Sequence, residues 1–122
     1  MPFDEVGTAS SYTDIPADAA AVSFHRSEPS PHACMLEIRG DLDIAVSAAL
    51  RRELDALLDL GTERVGVDLS GVVFMDSSAL SALVHAHARA LERGQLFDLH
   101  RPSPACSKVL SITGLDRVFD LR

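Results

Sequence analysis

The sequence predicts an α/β fold with a central, mostly parallel sheet of four to five strands, an antiparallel hairpin at its N-terminal side and helices packed on the sheet. Two observations support this fold class. Short apolar runs of strand length alternate along the chain with longer segments in which apolar residues recur every three or four positions. Successive strand, helix, strand units need right-handed crossovers, which build a parallel sheet. The 122 residues, 47% hydrophobic and 24% charged, suffice for one globular domain.

The N-terminal part of the chain combines a polar segment with a predicted hairpin. Residues 1–18 are rich in Gly, Ser, Thr, Pro and Asp and lack hydrophobic periodicity, so we expect a mobile arm there and a folded domain over 19–122. Residues 20–25 and 34–39 have the character of strands, the second with apolar and polar residues in alternation. The stretch 28–32 between them contains two prolines and is predicted to be the hairpin loop.

The first helix is predicted after the tetrapeptide Gly40-Asp41-Leu42-Asp43. Asp43 can accept the free amides of the first turn as an N-cap, and Gly61 can end the helix. Charged residues separate the apolar positions, which is the pattern of an amphipathic helix. The apolar positions at helical spacing are Val46, Leu50, Leu54, Leu57 and Leu58.

The second half of the chain repeats the alternation of strand and helix. Residues 65–69 form a short, mostly apolar run, as expected of a strand buried in a parallel sheet. A turn over 70–75 leads into a second helix from about Ser77 to Arg93, which Gly94 ends. The remaining elements are a strand over 96–99, a helix that begins at the Ser103-Pro104 cap and ends near Gly114, and an edge strand over 118–121.

The charge balance excludes several classes of partner. Eleven Lys plus Arg stand against eighteen Asp plus Glu, a formal charge of -7, and no segment is dense in basic residues. The chain therefore lacks the electrostatic footprint of a nucleic-acid or anionic-membrane binder, and we expect a protein partner. No apolar run approaches the ~18 residues of a membrane span, so no membrane insertion is expected. The first 25 residues contain no Lys or Arg and no apolar signal region, which favours a cytoplasmic location.

The sequence predicts neither a metal site, nor a cofactor, nor catalysis. Cys34 and Cys106 are far apart and belong to no Cys/His cluster, so both are expected to be reduced, buried thiols. His85 and His87 are two residues apart on one helix and face different directions, unlike a zinc pair at i, i+4. An enzyme would need a nucleophile and a base, but a pairing of Ser77 with His87 would need a histidine that the helical periodicity places on the core face. Neither a GxSxG nor a GxxxxGK[ST] motif occurs.

Two faces of the second helix differ in character. At 100° per residue, one sector of about 100° collects apolar positions and is expected to face the core. Its members are Leu80, Leu83, Val84, His87 and Leu91. The opposite sector carries short and mixed polar side chains, namely Ser78, Ser81, Ala82, His85 and Arg89. This second face is either plain solvent-exposed surface or a flat surface on which a partner docks.

The start of this helix has two interpretations. An apolar quartet over 72–75 leads directly into Asp76, Ser77 and Ser78. In the structural interpretation, one of these three side chains caps the free amides of the first turn. In the functional interpretation, a serine here is phosphorylated, which adds ~1.5 to 2 negative charges where the helix dipole tolerates them.

Four short motifs follow one another along the chain. They are GDLD at 40–43, VDLSGV at 67–72, FMDSSAL at 74–80 and TGL at 113–115. Together they resemble the STAS domain of bacterial anti-sigma-factor antagonists, and the resemblance covers about residues 20–122. It implies a STAS fold and a protein whose unphosphorylated form binds an anti-sigma factor that is also a serine kinase, thereby releasing a sigma factor. It further implies that the kinase phosphorylates the antagonist and that a metal-dependent serine phosphatase restores it.

The resemblance also assigns roles to single residues. It places the phosphoacceptor at Ser77, directly after the aspartate at the helix start, with Ser78 as the second candidate. Asp43, which closes the GDLD motif, corresponds to a position on the kinase-docking surface, and Asp41 is its neighbour. Ala79 stands where the usual pattern has glycine, so we expect its methyl group to affect how closely a partner approaches.

From the residues and the resemblance together we expect Asp41, Asp43 and Asp76 to form an acidic rim around Ser77 that attracts basic side chains of the kinase. A phosphate placed among those carboxylates would be repelled or left unsolvated at a close interface. The predicted partner-binding residues are Asp41, Asp43, Asp76, Ser78, Ser81, Ala82, His85 and Arg89. The alternative is a STAS interaction subunit of a stress-signalling scaffold or a lipid-transport complex that works without a phosphorylation switch.

Overall fold

The structure is a computed structural model that describes residues 22–121. The predicted N-terminal arm and the first two residues of the first predicted strand lie outside these residues. Short 3₁₀ turns at Ile44–Val46 and Leu115–Arg117 precede the first helix and the last strand. The described elements, in chain order, are β1 (Ser23–Ser30), β2 (Ala33–Leu42), α1 (Ser47–Asp59), β3 (Arg64–Met75), α2 (Ser77–Glu92), β4 (Leu96–His100), α3 (Pro104–Thr113) and β5 (Asp120–Leu121).

The strands form one sheet in the order β1-β2-β3-β4-β5. β1 pairs with β2 antiparallel, whereas β2, β3, β4 and β5 pair parallel to one another. α1 and α2 pack against each other, α1 also against β2 and α2 against β4, while α3 packs against β3. This architecture confirms the predicted α/β class with its antiparallel N-terminal hairpin.

The two central strands alternate between a fully buried row and a polar row. The buried row consists of Cys34, Leu36 and Ile38 in β2 and Val65, Val67 and Leu69 in β3. On the polar side, the carboxylates of Asp68 in β3 and of Asp98 in the neighbouring strand β4 are themselves buried and paired, Asp68 with Arg101 and Asp98 with Arg64 at 3.0 Å. Burial raises the pKa of the Asp68 carboxyl, but hydrogen bonds from Arg101 and Ser70 outweigh it, so the pKa lies below its ordinary value.

The N-terminal hairpin is tighter than the sequence predicts. β1 continues to Ser30, and the turn contains only Pro31 and His32 instead of the predicted loop over 28–32. Ser27 pairs with Met35 and Ser30 with Ala33, so two residues of β1 oppose one residue of β2 in a bulge. A bulge on an edge strand tolerates the proline that lies within it, because the missing N–H removes no hydrogen bond of the regular ladder.

The predicted turn over 70–75 is wrong, because β3 continues through it to Met75. Pairing with β2 is kept by two irregularities, one before Gly71 and one before Phe74. Each places an extra residue in β3, and such bulges reverse the side to which the following side chains point. Gly71 is required at the first bulge, since a Cβ there would lie 2.6 Å from Cγ of Arg39. Ser70 and Gly71 therefore mark the first bulge and not a turn.

The buried face of α2 differs from the predicted one in two places. Ala82 is 1% exposed and belongs to the core, so its assignment to the exposed face is wrong; Leu91 is 66% exposed, so its assignment to the core is wrong too. The buried positions are Ala79, Leu80, Ala82, Leu83, Ala86 and Ala90. Four of these six are alanines, which allow α1 and the sheet to approach closely. Which residues of α2 are buried therefore depends on contact with both α1 and the sheet, and not on side-chain size alone.

The predicted caps and thiols agree with the structure. The Ser103 hydroxyl accepts the amide of Cys106 at 3.2 Å, and Gly114 ends α3 with a φ of 77°. Cys34 and Cys106 are buried and free. Burial raises the pKa of both thiols, which keeps them protonated at neutral pH. Within residues 22–121, the structure contains no helix with the length and apolar character needed to cross a membrane.

The corrected face of α2 yields a matched pair of substitutions. Leu83→Ala removes a fully buried side chain and should lower the free energy of unfolding by about 2–5 kcal/mol. Leu91→Ala, on the same helix, should change it by less than about 0.5 kcal/mol because the side chain is mostly exposed. Urea unfolding followed by circular dichroism measures both values. A cost for Leu91→Ala comparable to that of Leu83→Ala would show that the side chain is buried after all.

Candidate functional site

The candidate site lies where β2 and β3 end side by side. Leu42 pairs with Met75 at the last position of both strands, and the amide of Asp76 donates to the carbonyl of Leu42 at 3.1 Å. The residue after each strand is an aspartate that begins a helical turn, Asp43 after β2 and Asp76 after β3. The residues 41–44 and 73–78 therefore form one continuous patch, here called the helix-start surface.

Both aspartates on this surface cap the turn that follows them. Asp43 and Asp76 have the same extended backbone, with φ −105° and ψ −176°. The Asp43 carboxylate accepts the amide of Ala45 at 3.0 Å. One oxygen of Asp76 accepts the amides of Ser78 at 2.9 Å and Ala79 at 3.1 Å. Asp43 is a cap, but of the 3₁₀ turn ahead of α1 and not of α1 itself, whose N-cap position is Val46. Asp76 is the cap of α2.

The two serines at the start of α2 differ in what they contact. The Ser78 hydroxyl donates to the Asp76 carboxylate at 2.6 Å and is half-buried. Ser77 is exposed, and its hydroxyl makes no hydrogen bond to any residue within 22–121. The Ser77 hydroxyl is therefore accessible to another protein, whereas that of Ser78 is held inside the cap.

The hydrogen bonds around Asp76 fix its charge. The pKa of the Asp76 carboxyl lies below its ordinary value, mainly because the Ser78 hydroxyl donates a hydrogen bond to it. The amides of Ala79, Ser78 and Ile44 lower this pKa further, and burial opposes them without outweighing them. Asp76 is therefore ionised at neutral pH. A fixed negative charge next to Ser77 favours a basic group of a partner at this place.

Three exposed apolar side chains adjoin the same surface, and sequence reasoning missed them. Ile44 is 76% exposed, Val73 69% and Phe74 49%. The residues 72–75 are all apolar, but the second bulge of β3 leaves Val73 and Phe74 exposed while Met75 returns to the core. Ile44 follows the Asp43 cap directly and begins the 3₁₀ turn Ile44–Val46, and a large apolar residue directly after a predicted cap was the signal available. These three residues are called the apolar trio.

The remaining predicted residues lie at increasing distance from the strand ends. Asp41 is half-buried in β2, where it pairs with Phe74 of β3. Ser81 is exposed one turn after Ser77, and its hydroxyl accepts from Arg51 of α1 at 3.3 Å. His85 is exposed a further turn along α2.

Arg89, the next predicted residue on this face of α2, forms a salt bridge with Asp55 of α1 and so links the two helices.

The predictions for two alanines of α2 need correction. Ala82 faces the core, so it cannot belong to a docking surface. Ala79 is fully buried, so its methyl group packs inside the protein and does not limit the approach of a partner.

Two clefts of the structure lie away from the helix-start surface. The structure contains clefts of about 250 Å³, between α2 and the β4–β5 edge, and about 300 Å³, next to Met35 and His100, and neither is lined by residues of this surface. Among residues 22–121, no group of three or more His, Cys, Asp or Glu side chains is placed to hold a metal ion. An exposed, partly apolar surface that carries two capping carboxylates is suited to contact with another protein.

Comparison with known proteins gives the family. The family model described as "Mlab, STAS domain" matches residues 25–122. The chain is similar to an anti-sigma factor antagonist from Mycobacterium paratuberculosis, with 22% identity, 82% of this chain and 84% of that chain covered, and a TM-score of 0.74. It is also similar to the Bacillus cell fate determinant SpoIIAA in its phosphorylated form (19%, 81% and 90%, 0.64) and to a sulfate transporter family protein from Wolinella succinogenes (19%, 75% and 75%, 0.63). At these identities the structural likeness shows a shared fold.

The cap of α2 can be tested by stability. Asp76→Ala removes the acceptor of two amides and a hydroxyl, and should lower the free energy of unfolding by about 1 kcal/mol, within the 0.5–2 kcal/mol typical of N-caps. Asp116→Ala is the matched control, because Asp116 is exposed and accepts no hydrogen bond from described residues. Equal stability of the two variants in urea unfolding would refute the capping role.

The charge of Asp76 should also appear in the pH dependence of stability. Its pKa is lowered in the folded protein, so its ionic contribution is complete above the pKa of the unfolded chain, about 3.9. The contribution is lost as pH falls through the lower pKa of the folded state. Asp76→Asn keeps a capping oxygen without the charge, so the stability difference between wild type and Asp76→Asn should shrink below about pH 4. Unfolding curves from pH 7 to pH 3 measure this difference, and a gap that widens toward acid pH would contradict it.

Proposed function

The chain belongs to the STAS-domain family, and from this premise we propose that it is an anti-sigma-factor antagonist controlled by phosphorylation of Ser77. Its unphosphorylated form binds an anti-sigma factor that is also a serine kinase and thereby releases a sigma factor. Phosphorylation ends the complex, and a serine phosphatase restores the active form. The protein acts by binding, without catalysis or cofactor, in the cytoplasm.

The single observation that carries this proposal is the contrast between the two serines at the start of α2. A kinase needs an accessible hydroxyl that it can reach without unfolding its substrate. Ser77 is exposed and unbonded among the described residues, while Ser78 donates to Asp76. The cap contacts of Asp76 persist when Ser77 is modified, because they use the carboxylate and amides and not the Ser77 hydroxyl.

The helix-start surface has the composition of a protein interface. The apolar trio supplies exposed apolar area, and Asp43 and Asp76 supply fixed negative charge beside it. Interfaces commonly combine a buried apolar centre with a polar rim. The binding partner should therefore present an apolar hollow for Ile44 and Phe74, surrounded by Lys or Arg side chains.

The same arrangement explains how one phosphate can end the complex. Phosphoserine adds ~1.5 to 2 negative charges next to the two capping carboxylates. Within an interface this charge must be desolvated close to Asp43 and Asp76, and like charges brought together there cost several kcal/mol. Because about 1.4 kcal/mol is a factor of ten in affinity, a hundredfold weakening needs no change of fold.

A second candidate function is that of a STAS interaction subunit without a phosphorylation switch. The name Mlab in the matching family model and the likeness to a sulfate transporter family protein favour this candidate. Under it the helix-start surface would still bind a protein, in a stress-signalling scaffold or a lipid-transport complex. The two candidates differ in whether Ser77 carries a phosphate in the cell.

The phosphorylation switch predicts opposite results for two substitutions at one residue. Ser77→Ala should resist phosphorylation and remain bound to the anti-sigma factor, and Ser77→Asp should bind at least about tenfold more weakly because it introduces a charge at the interface. Peptide mass spectrometry of protein from its native cells locates the phosphate, and calorimetric titration with the co-purified kinase measures affinity.

Ser78→Ala is the matched control for these experiments. It alters the neighbouring hydroxyl and should leave phosphorylation in place, with a small loss of stability from the weakened cap. Full phosphorylation of Ser77→Ala would overturn the assignment of Ser77. Absence of phosphate at Ser77 under all growth conditions, together with a membrane ATPase in the co-purified complex, would establish the second candidate instead.

A further inference from the structure

A row of polar contacts joins α1 and α2 along their exposed side. On α2 these contacts begin at Ser81, which lies four residues after Ser77 and four before His85. The lower contacts of the row are two salt bridges, Arg89 with Asp55 and Arg93 with Asp59, the latter at 2.8 Å. Since the paired residue numbers rise together on both helices, α1 and α2 run parallel and their first turns lie at the same end.

The uppermost contact of this row differs from the lower two. Arg51 of α1 donates to the hydroxyl of Ser81 at 3.3 Å. Arg51 makes no salt bridge with any residue in 22–121, whereas Arg89 and Arg93 each pair with a carboxylate. The end of the row nearest Ser77 therefore carries an arginine whose partner is a neutral hydroxyl.

Ser77 lies one helical turn before Ser81 on the same side of α2. Residues four apart on a helix have Cβ atoms about 5–6 Å from each other. The Cβ of a helical residue also leans toward the N-terminus, so the Ser81 hydroxyl points in the direction of Ser77. The Arg51 guanidinium that it holds is thus placed beside the turn that would carry a phosphate.

We propose that Arg51 is the residue of this chain that binds the phosphate of phosphorylated Ser77. On modification, the guanidinium leaves the Ser81 hydroxyl and forms a charge-assisted hydrogen bond with the phosphate, so that the uppermost contact of the row becomes an ion pair like the two below it. This proposal rests on the proposed function only for the identity of the modified serine.

The charges around Ser77 favour Arg51 for this role. Asp76 and Asp43 repel the phosphate, and both carboxylates are already held by backbone amides. His85 lies two helical turns after Ser77, so it is farther from the phosphate position than Ser81 and the Arg51 that contacts it. Arginine binds phosphate through parallel N–H donors, and such charge-assisted hydrogen bonds are stronger than the neutral contact to Ser81 that is given up.

The pairing would change what a partner meets. Before modification, Arg51 and the Ser77 hydroxyl are both accessible at the edge of the helix-start surface. Afterwards, the phosphate and Arg51 cover this edge together. Arg51 would also shield the phosphoserine from a phosphatase, which lengthens the lifetime of the phosphorylated form.

The test uses the full chain with phosphoserine incorporated at position 77 during synthesis. The second pKa of the phosphate, about 6 for phosphoserine, is followed by phosphorus NMR. Arg51→Gln should raise this pKa by about 0.15–0.7 relative to the otherwise unchanged protein, the range expected for an exposed ion pair. Arg51→Lys should restore part of the difference, because lysine keeps the charge without the fork of donors.

Arg52→Gln is the matched control, since Arg52 is the next residue on α1, is exposed and points to a different side of the helix. It should leave the phosphate pKa unchanged. Equal pKa values in wild type, Arg51→Gln and Arg52→Gln, with amide spectra that show all three folded, would overturn the inference. The result is independent of partner binding, so an antagonist whose two forms bind the anti-sigma factor equally would contradict the proposed function alone.

Discussion

The parallel pairing of the last residues of β2 and β3 is the constraint on which the rest of the site depends. It brings the ends of two strands to the same level, and the hydrogen bond from Asp76 to Leu42 joins the start of α2 to the end of β2. Two helical turns then begin side by side, each capped by its own aspartate. The exposed serine, the fixed carboxylates and the apolar trio occupy one surface because this junction holds them there.

The packing of α1 against α2 supports the helix that carries Ser77. Alanines on the buried side of α2 let α1 approach closely, and salt bridges join the exposed sides of the two helices. The serine is thus mounted on a helix that is fixed by apolar packing on one side and by polar contacts on the other. A modification at this place therefore changes charge and contacts at the start of a helix that is packed on both sides.

Much of the fold and part of the site could be predicted from the sequence, for physical reasons that particular residues illustrate. Several local signals in the sequence predicted correctly where elements begin and end, because tertiary contacts did not override them. They are the strand and helix periods, the caps at Ser103 and Asp43, and Gly114 at the end of α3. The exposure of Val73 and Phe74 was hidden, because it depends on how many residues β3 inserts opposite β2. Ala82 and Leu91 were misplaced because the position of α1 decides which side of α2 is covered, and periodicity within one helix carries no information about its neighbour.

The two bulges of β3 have a consequence for how this surface can vary. Between Asp68 and Met75, β3 contains two more residues than the segment of β2 that pairs with it. Deleting one of them would reverse the side chains that follow, which would turn Phe74 inward and Met75 outward even though no residue of the surface had been replaced. Spacing is thus a determinant of recognition in its own right. Relatives that keep the acid and serine but differ in the length of this segment would present a different surface, and insertions or deletions here offer a route to new partners that point substitutions do not.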